Sequence, residues 1–420
     1  MSAPQRQSEA NQMNRRDPSY RRGVSAGSIL RTVLEHGPVA RSTIARLTGL
    51  SPASVTGHTA ELAQQCFIRE LPQTTRSKGV GRPHMPVDLD ISGYLVAAVH
   101  VAVAHTTIAL LDLRGRVLVQ HQEPHSEAEP LAVVSRASEI LARLLEEHSA
   151  GRVPLGLGVA TGGWVDREAG TLVEHRLLGW RDVPLRELFA ERTGLLVEVD
   201  GHSRALLQAE RLFGVARGRN SVMHLFIGNV VDAAFAAGES VHYGPRSQAG
   251  AIAHLPLAGN TEPCFCGRAG CLQAALSEPT LARRAFDEGI ITEPEFPLLL
   301  ETARYGDPGA LRLFAERARD IGRATAMLTD VFGPELVVVV EPGVMLLDGN
   351  LSVLRDEVRT RAWSSLADVT QTVVPTGFAP DSILAIAGGS VILDALYRDP
   401  LALLAACEDA RSAQSSGIHA

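Results

Sequence analysis

From Ser25 onward the apolar positions fall at helical spacing. Ile29, Val33 and Leu34 share one face, and Gly37-Pro38 ends the run. A second, short helix is predicted over 40–47, stopped by Thr48-Gly49-Leu50. Ser51-Pro52 opens a third, with serine as N-cap and proline at the first helical position. Its Val55, Leu62 and Ala63 turn inward, which leaves Ser54, Thr56, His58 and Thr59 facing out. Short strands are expected at 67–70 and 85–89.

Beyond Asp90 the texture changes to short strands, glycine turns and amphipathic helices. Three consecutive antiparallel strands are predicted at 95–103, 106–112 and 117–120, then a helix over 131–147. Strands follow at 155–160 and 195–199, a helix at 202–213, and a strand pair at 222–227 and 231–237. Helices then dominate, including 309–331. A strand at 336–340 and a run at 383–387 lead into Gly388-Gly389 and a final helix. This alternation predicts an α/β body with mixed sheets in two lobes. No fixed-period repeat is visible.

The front segment reads as a helix-turn-helix whose second helix suits a DNA major groove, with its N-terminal residues at base edges. Ser51, Ser54, Thr56, His58 and Thr59 are the candidate contacts there. Between the two short strands lies Arg76-Ser77-Lys78-Gly79-Val80-Gly81-Arg82-Pro83, a basic, glycine-rich hairpin tip. As a wing it would lay Arg76, Lys78 and Arg82 along phosphates or into a minor groove.

Charge supports a split chain. Residues 1–86 carry twelve Lys and Arg against five Asp and Glu, while the rest carries 28 against 42. A basic front on an acidic body points to an anionic polymer, double-stranded DNA, as partner of the front alone. The most apolar stretch, 95–113, is broken by His100 and His105 and is too polar to span a bilayer. Five cysteines, without a secretory segment, suggest the reducing cytoplasm.

Three of those cysteines lie in Cys264-Phe265-Cys266-Gly267-Arg268-Ala269-Gly270-Cys271, ten residues after His254. One imidazole and three thiolates make a closed tetrahedral shell for a structural Zn²⁺, with no open position to activate water.

The order of these elements resembles the ROK family (repressors, open reading frames, kinases), and specifically its transcriptional-regulator branch. The resemblance covers about 25–400. It rests on the cysteine cluster with its histidine, on Gly81-Arg82-Pro83, and on Leu178-Gly179-Trp180-Arg181-Asp182-Val183-Pro184-Leu185. It implies an actin-like ATPase (ribonuclease H-like) two-lobed body, preceded here by an all-α winged helix-turn-helix domain, and a homodimer or tetramer. In kinases of the family the cleft binds ATP and a hexose. In regulators it senses a sugar or sugar phosphate, or the body contacts a protein.

The sequence departs from the kinase pattern at each phosphate loop. The first hairpin, 99–106, has neither glycine nor carboxylate. The second, 228–234, keeps only Gly228. The third carries Glu341 and Pro342, and proline lacks an amide donor. The position of the kinases' catalytic aspartate aligns with His202, or with Asp200 if the alignment slips by two. The sugar-binding glutamate and asparagine are replaced by Ala251 and Arg176. Arg176, His202, Arg204 and His254 are therefore candidates for an anionic effector, such as a phosphorylated sugar.

These observations predict a basic, disordered tail at 1–22, a winged helix at 23–90, an effector and oligomerisation body at 91–400 and a flexible tail at 401–420. They predict a cytoplasmic transcriptional regulator, a repressor acting on a pseudo-palindromic operator, without catalytic residues. A hexose kinase bearing a DNA-binding appendage is the alternative, and a zinc sensor is a third reading.

Overall fold

The computed structural model of the chain describes residues 18–72, 85–238, 240–363 and 368–417. The head is α1 (Pro18–His36), α2 (Arg41–Thr48), α3 (Pro52–Gln64), β1 (Ile68–Glu70) and β2 (Val87–Leu89). Ser51 caps α3 as its sequence predicts, its Oγ accepting the Ser54 amide at 3.2 Å. β1 and β2 pair antiparallel, with Ile68 opposite Leu89. The head is thus three helices with a two-stranded ribbon, rather than all-α. The wing tip, with Arg76, Lys78 and Arg82, lies outside the described residues.

The first lobe comprises β3 (Tyr94–Val101), β4 (His105–Leu111), β5 (Val117–Pro124), α4 (Pro130–His148), β6 (Val153–Thr161), β7 (Trp164–Asp166), β8 (Thr171–His175), β9 (Trp180–Val183), α5 (Leu185–Thr193), β10 (Val197–Gly201) and α6 (His202–Leu212). The second follows with β11 (Ser221–Ile227), β12 (Val231–Ala237), β13 (Ser240–Val241), α7 (Leu272–Leu276), α8 (Glu278–Asp287), α9 (Phe296–Arg304), α10 (Pro308–Phe332), β14 (Leu336–Val340), α11 (Pro342–Leu346), α12 (Asn350–Arg361), α13 (Val369–Thr372) and β15 (Val373–Pro375). The chain closes with α14 (Ile383–Arg398) and α15 (Pro400–Gly417).

The two main sheets run β5-β4-β3-β6-β10 and β13-β12-β11-β14-β15, each with an antiparallel meander followed by parallel strands. One five-stranded topology therefore occurs twice, which is the expected actin-like architecture. The duplication left no repeat in the sequence because the connections differ so much between lobes. The small sheet β7-β8-β9 and the strand β15 were not anticipated; strands of three to five residues carry too few alternations to register.

The run at 383–387 is not a separate element. α14 begins at Ile383 and carries Gly388 and Gly389 in its middle. Gly388 lets the helix lie on β3, where a β-carbon would stand 2.8 Å from the Val99 carbonyl oxygen.

Both predicted tails need correction. α1 starts at Pro18, inside the segment expected to be disordered. The segment after 400 is α15, which buries Leu403, Leu404 and Cys407. Its Arg411 guanidinium donates to the Pro154 carbonyl at 2.7 Å. Those three side chains join one hydrophobic core with Ile29, Leu30 and Val33 of α1 and Leu393, Leu396 and Tyr397 of α14. Burial of this kind contributes about 1.5–3 kcal/mol per large side chain. The head is thereby continuous with the body.

Candidate functional site

The loop between β13 and α7 brings together the four predicted metal ligands. The ligand atoms of His254, Cys264, Cys266 and Cys271 all lie within 4.8 Å of one another. Cys266 Sγ is 3.7 Å from Cys271 Sγ, and Cys264 Sγ is 3.5 Å from His254 Nδ1. A tetrahedral zinc with its usual bond lengths separates its ligands by about 3.5–3.8 Å. The loop folds back locally: the Cys264 amide donates to the Arg268 carbonyl at 2.7 Å, and the Gly267 amide to that of Cys264 at 2.9 Å. The Arg268 backbone amide, helped by its guanidinium, draws the Cys266 thiol down to about 6, favouring the thiolate that a metal needs. The donor set and its spacing fit a bound metal ion.

Beside this loop a cavity of about 410 Å³ opens between the lobes, and all four predicted effector residues line it. They are not equally available. The Arg204 guanidinium is buried and committed, donating to Asp200 Oδ1 (2.6 Å), the Ser247 carbonyl (3.0 Å) and the Val165 carbonyl (3.1 Å). Each of its three nitrogens is already engaged in shaping the wall, so it is not the free cation that was expected there. Arg176 is half exposed and pairs with Glu174 at 3.3 Å. His254 contributes the ring that also faces the cysteines.

His202 sits at the first position of α6, buried between the lobes. Its Nε2 is 3.1 Å from Asp232 Oδ2, so one hydrogen bond crosses from the first lobe to the second. Its Nδ1 is 3.3 Å from His100 Nε2, and its ring lies on Phe226 at 4.1 Å between centroids. Asp200 is spent on Arg204 and on the Gly201 amide. Of the two candidate positions for a catalytic base, His202 is therefore the one that lines the cavity.

A second cavity, of about 220 Å³, lies where the phosphate loops converge, and His202 and His175 line both cavities. Its wall includes the β3–β4 turn, Gly228-Asn229-Val230, Pro342 and the start of α14. The Glu341 carboxylate, at the third loop, does not stand free to repel phosphate. It instead accepts from buried Arg317 at 2.7 Å and caps α11 through the Val344 amide at 2.6 Å, so its charge is neutralised. Burial holds the His100 imidazole well below its ordinary value and takes His175 down to about 4.

On the head, Ser51 caps α3, and Ser54, Thr56 and His58 sit in its first half. Ser51 and Thr56 are exposed and Ser54 and His58 half-buried. Thr59 is a correction: it is fully buried. Its hydroxyl donates to the Val55 carbonyl at 2.7 Å and accepts from Arg41 Nε at 3.0 Å. A helix turns 100° per residue, so Thr59 lies one turn from Val55 on the packed face.

Several residues of the interlobe site gave no sequence signal. Asp232 and His175 occur singly within strands. Gln273 fixes the loop at 229–231, accepting from the Val231 amide (2.9 Å) and donating to the Asn229 carbonyl (2.7 Å). Only the tertiary fold places them together.

Comparison with known proteins agrees with this architecture. Residues 96–384 match the model of the ROK family. The chain is 31% identical over 396 residues to Transcriptional regulator Rv0485 of Mycobacterium tuberculosis strain H37Rv, covering 90% of this chain and 87% of that one. It is 25% identical over 391 residues to the DNA-binding transcriptional repressor Mlc of Escherichia coli K12, covering 90% and 95%. A crystal structure of a ROK family transcriptional regulator, described as a homolog of E. coli Mlc, superposes with a TM-score of 0.75 at 23% identity, covering 93% of this chain and all of that one. A ROK family glucokinase from Streptomyces griseus, solved with glucose and AMPPNP, gives 0.62 at 21% identity, covering 71% and 98%. With the family model spanning more than half of its length and a close relative aligned almost end to end, the chain belongs to the ROK family.

Proposed function

We propose that this chain is a DNA-binding transcriptional repressor whose kinase-like body serves as sensor and oligomerisation platform. The observation that carries the reading is α3, an N-capped helix whose outer face is built from small residues: Pro52, Ala53, Thr56, Gly57 and Ala60 are exposed. Such a face allows a helix to seat deeply in a major groove, with the hydroxyls of Ser54 and Thr56 near base edges. Arg76, Lys78 and Arg82 on the wing would then grip the flanking backbone.

The partner is a pseudo-palindromic operator, read by a homodimer with half-sites one helical turn or a multiple apart. His254, Cys264, Cys266 and Cys271 would hold Zn²⁺, which supplies a structural cross-link. The chain's own contribution is to pin the loop that walls the larger cavity. That cavity suits a sugar-related or anionic metabolite approaching Arg176 and His202. The cytoplasm is the compartment this role requires, and no helix among the described residues is long and apolar enough to cross a membrane.

Phosphoryl transfer has no place in this reading. The β3–β4 turn offers no glycine amides, and Pro342 removes a donor from the third loop. α14 provides the route for a signal: its first residues, Ile383 and Leu384, line the smaller cavity, and its last turn abuts the head. An effector that prefers one lobe arrangement would thereby shift the spacing of two heads.

The test is nuclease footprinting of the full chain on the region upstream of its own coding sequence. Protection of a pseudo-palindrome, lost in a Ser54→Ala, Thr56→Ala double variant that folds normally, is expected. Transfer of phosphate from ATP to any of a panel of hexoses would favour the kinase reading instead.

A further inference from the structure

The smaller interlobe cavity lies at the place where nucleotide phosphates would be held, yet its chemistry is wrong for them. Most of its wall is apolar. Val101, Val103, Phe226, Val340, Met345 and Ile383 enclose it from both lobes and from α14. The turn of the first hairpin contributes side chains where amides would be needed to reach a phosphate. The carboxyl group of Glu278 stands in the wall, so an incoming polyanion would meet a like charge or have to bury it.

The polar groups that remain form a sparse set. Asp232, His202 and His100 make a chain of hydrogen bonds, at 3.1 and 3.3 Å. If the His202 Nε2–H donates to Asp232, its Nδ1 accepts from the His100 Nε2–H. His100 Nδ1 is then left as a bare acceptor. It is buried and has no hydrogen-bond partner, as is the case for His105 Nε2 across the turn. Buried polar atoms are nearly always satisfied, and these two belong to residues that line the same cavity, where a ligand's hydroxyl or a water would complete one of them. Burial keeps His100 and His105 below their ordinary values and pushes the Glu278 carboxyl up to about 7, so at neutral pH the two histidines are uncharged and Glu278 is only partly ionised.

We infer that this cavity is a binding site for an uncharged, largely apolar small molecule with one hydroxyl or similar hydrogen-bonding group, distinct from the larger cavity beside the cysteine loop. Size sets the upper bound. A cavity of about 150 Å³ holds benzene, so 220 Å³ accommodates a single substituted ring or a short branched chain. The site does not depend on the DNA-binding reading, and its test contains no DNA.

The probe is p-cresol, titrated into the full-length, metal-loaded chain carrying ¹³C-methyl methionine. The Met345 methyl resonance, assigned with Met345→Leu, is expected to shift saturably, while methionines remote from the cavity stay fixed. Ala102→Trp, which fills the space from the exposed side of the turn, should weaken p-cresol at least tenfold. Neither Mg-ATP nor inorganic phosphate should displace it. An unmoved Met345 resonance would overturn the inference, whether or not Ala102→Trp folds. So would displacement by Mg-ATP or phosphate, which would mean that the cavity still takes phosphate groups.

Discussion

Gly27 on α1 packs directly against the backbone at the end of α14: a β-carbon there would stand 2.8 Å from the Tyr397 carbonyl oxygen and closer still to that of Arg398. One turn earlier, Gly23 makes the same kind of approach to the Asp399 carboxylate. Two glycines at i and i+4 make a flat strip on one helix face. At Gly27 the head meets the backbone of the body directly, and at Gly23 it meets the Asp399 side chain. Tyr397 strengthens the far side of the seam, its hydroxyl donating to the Leu113 carbonyl at 2.6 Å.

Gly27→Val is therefore expected to wedge the seam apart. Overpacking of this kind costs about 1–3 kcal/mol, measured by urea denaturation, and operator affinity should fall with it. Gly57→Ala is the control. It lies on the exposed face of α3 with nothing within 4 Å of its β-carbon position, so it should raise stability by about 0.5–1 kcal/mol through helix propensity.

Thr56 and Thr59 separate reading from packing. Thr59→Ala removes a buried hydroxyl and the acceptor of Arg41, and should destabilise the head by about 1–2 kcal/mol. Its preferred DNA sequence should be unchanged. Thr56→Ala should leave the melting temperature nearly as it was and relax the preference at one base position per half-site. Melting curves and a sequence-selection assay on both variants distinguish the two effects.

The metal loop predicts a single zinc ion per chain by elemental analysis. Cys271→Ala, which removes a buried ligand, should abolish retention. Removing the ion with a chelator should expose the loop at 254–271 to protease, because what then holds it is mainly local hydrogen bonds, such as that from the Leu257 amide to the Gly270 carbonyl, and the buried Leu257 side chain. Full zinc retention by Cys271→Ala would contradict the ligand assignment.

Acid should destabilise the protein through its buried histidines. Burial holds His175 at about 4 and His224 at about 3, against an unfolded value of 6.5. Below pH 6.5 the unfolded chain takes up protons that the folded chain refuses. Stability is thus fully present above 6.5 and is lost as pH falls toward 4, by about 1.4 kcal/mol per unit for each such histidine. Glu278, Glu210 and Asp320, raised by burial, pull the other way, but they are outnumbered once His100 and His105 are included. Both ring nitrogens of His224 lack partners in the core of the second lobe. His224→Leu should therefore fold, and should reduce the slope of stability against pH between 6.5 and 4.

Much of this was legible along the chain. The capping serine and following proline located α3 to the residue, and the Cys264–Cys271 run named three ligands, because both signals are local. The order of elements gave the two-lobed body. What stayed hidden depends on partners distant in sequence. Thr59 reads as a polar surface residue until Arg41 is seen to donate to it. Arg204 reads as a free cation until three acceptors, from β7, β10 and the segment after β13, surround it. The last helix reads as a tail because Leu403, Leu404 and Cys407 find their apolar neighbours on α1 and β6, hundreds of residues away. His202 and Asp232 face each other only because two sheets of the same topology close on one cleft.

The measurement that bears most directly on the account is selection of bound duplexes from a random pool by the full-length chain at physiological salt. Enrichment of a pseudo-palindrome, with half-sites one helical turn or a multiple apart, is the predicted result. Recovery of a pool with no sequence preference, from protein that is folded and zinc-loaded, would contradict it.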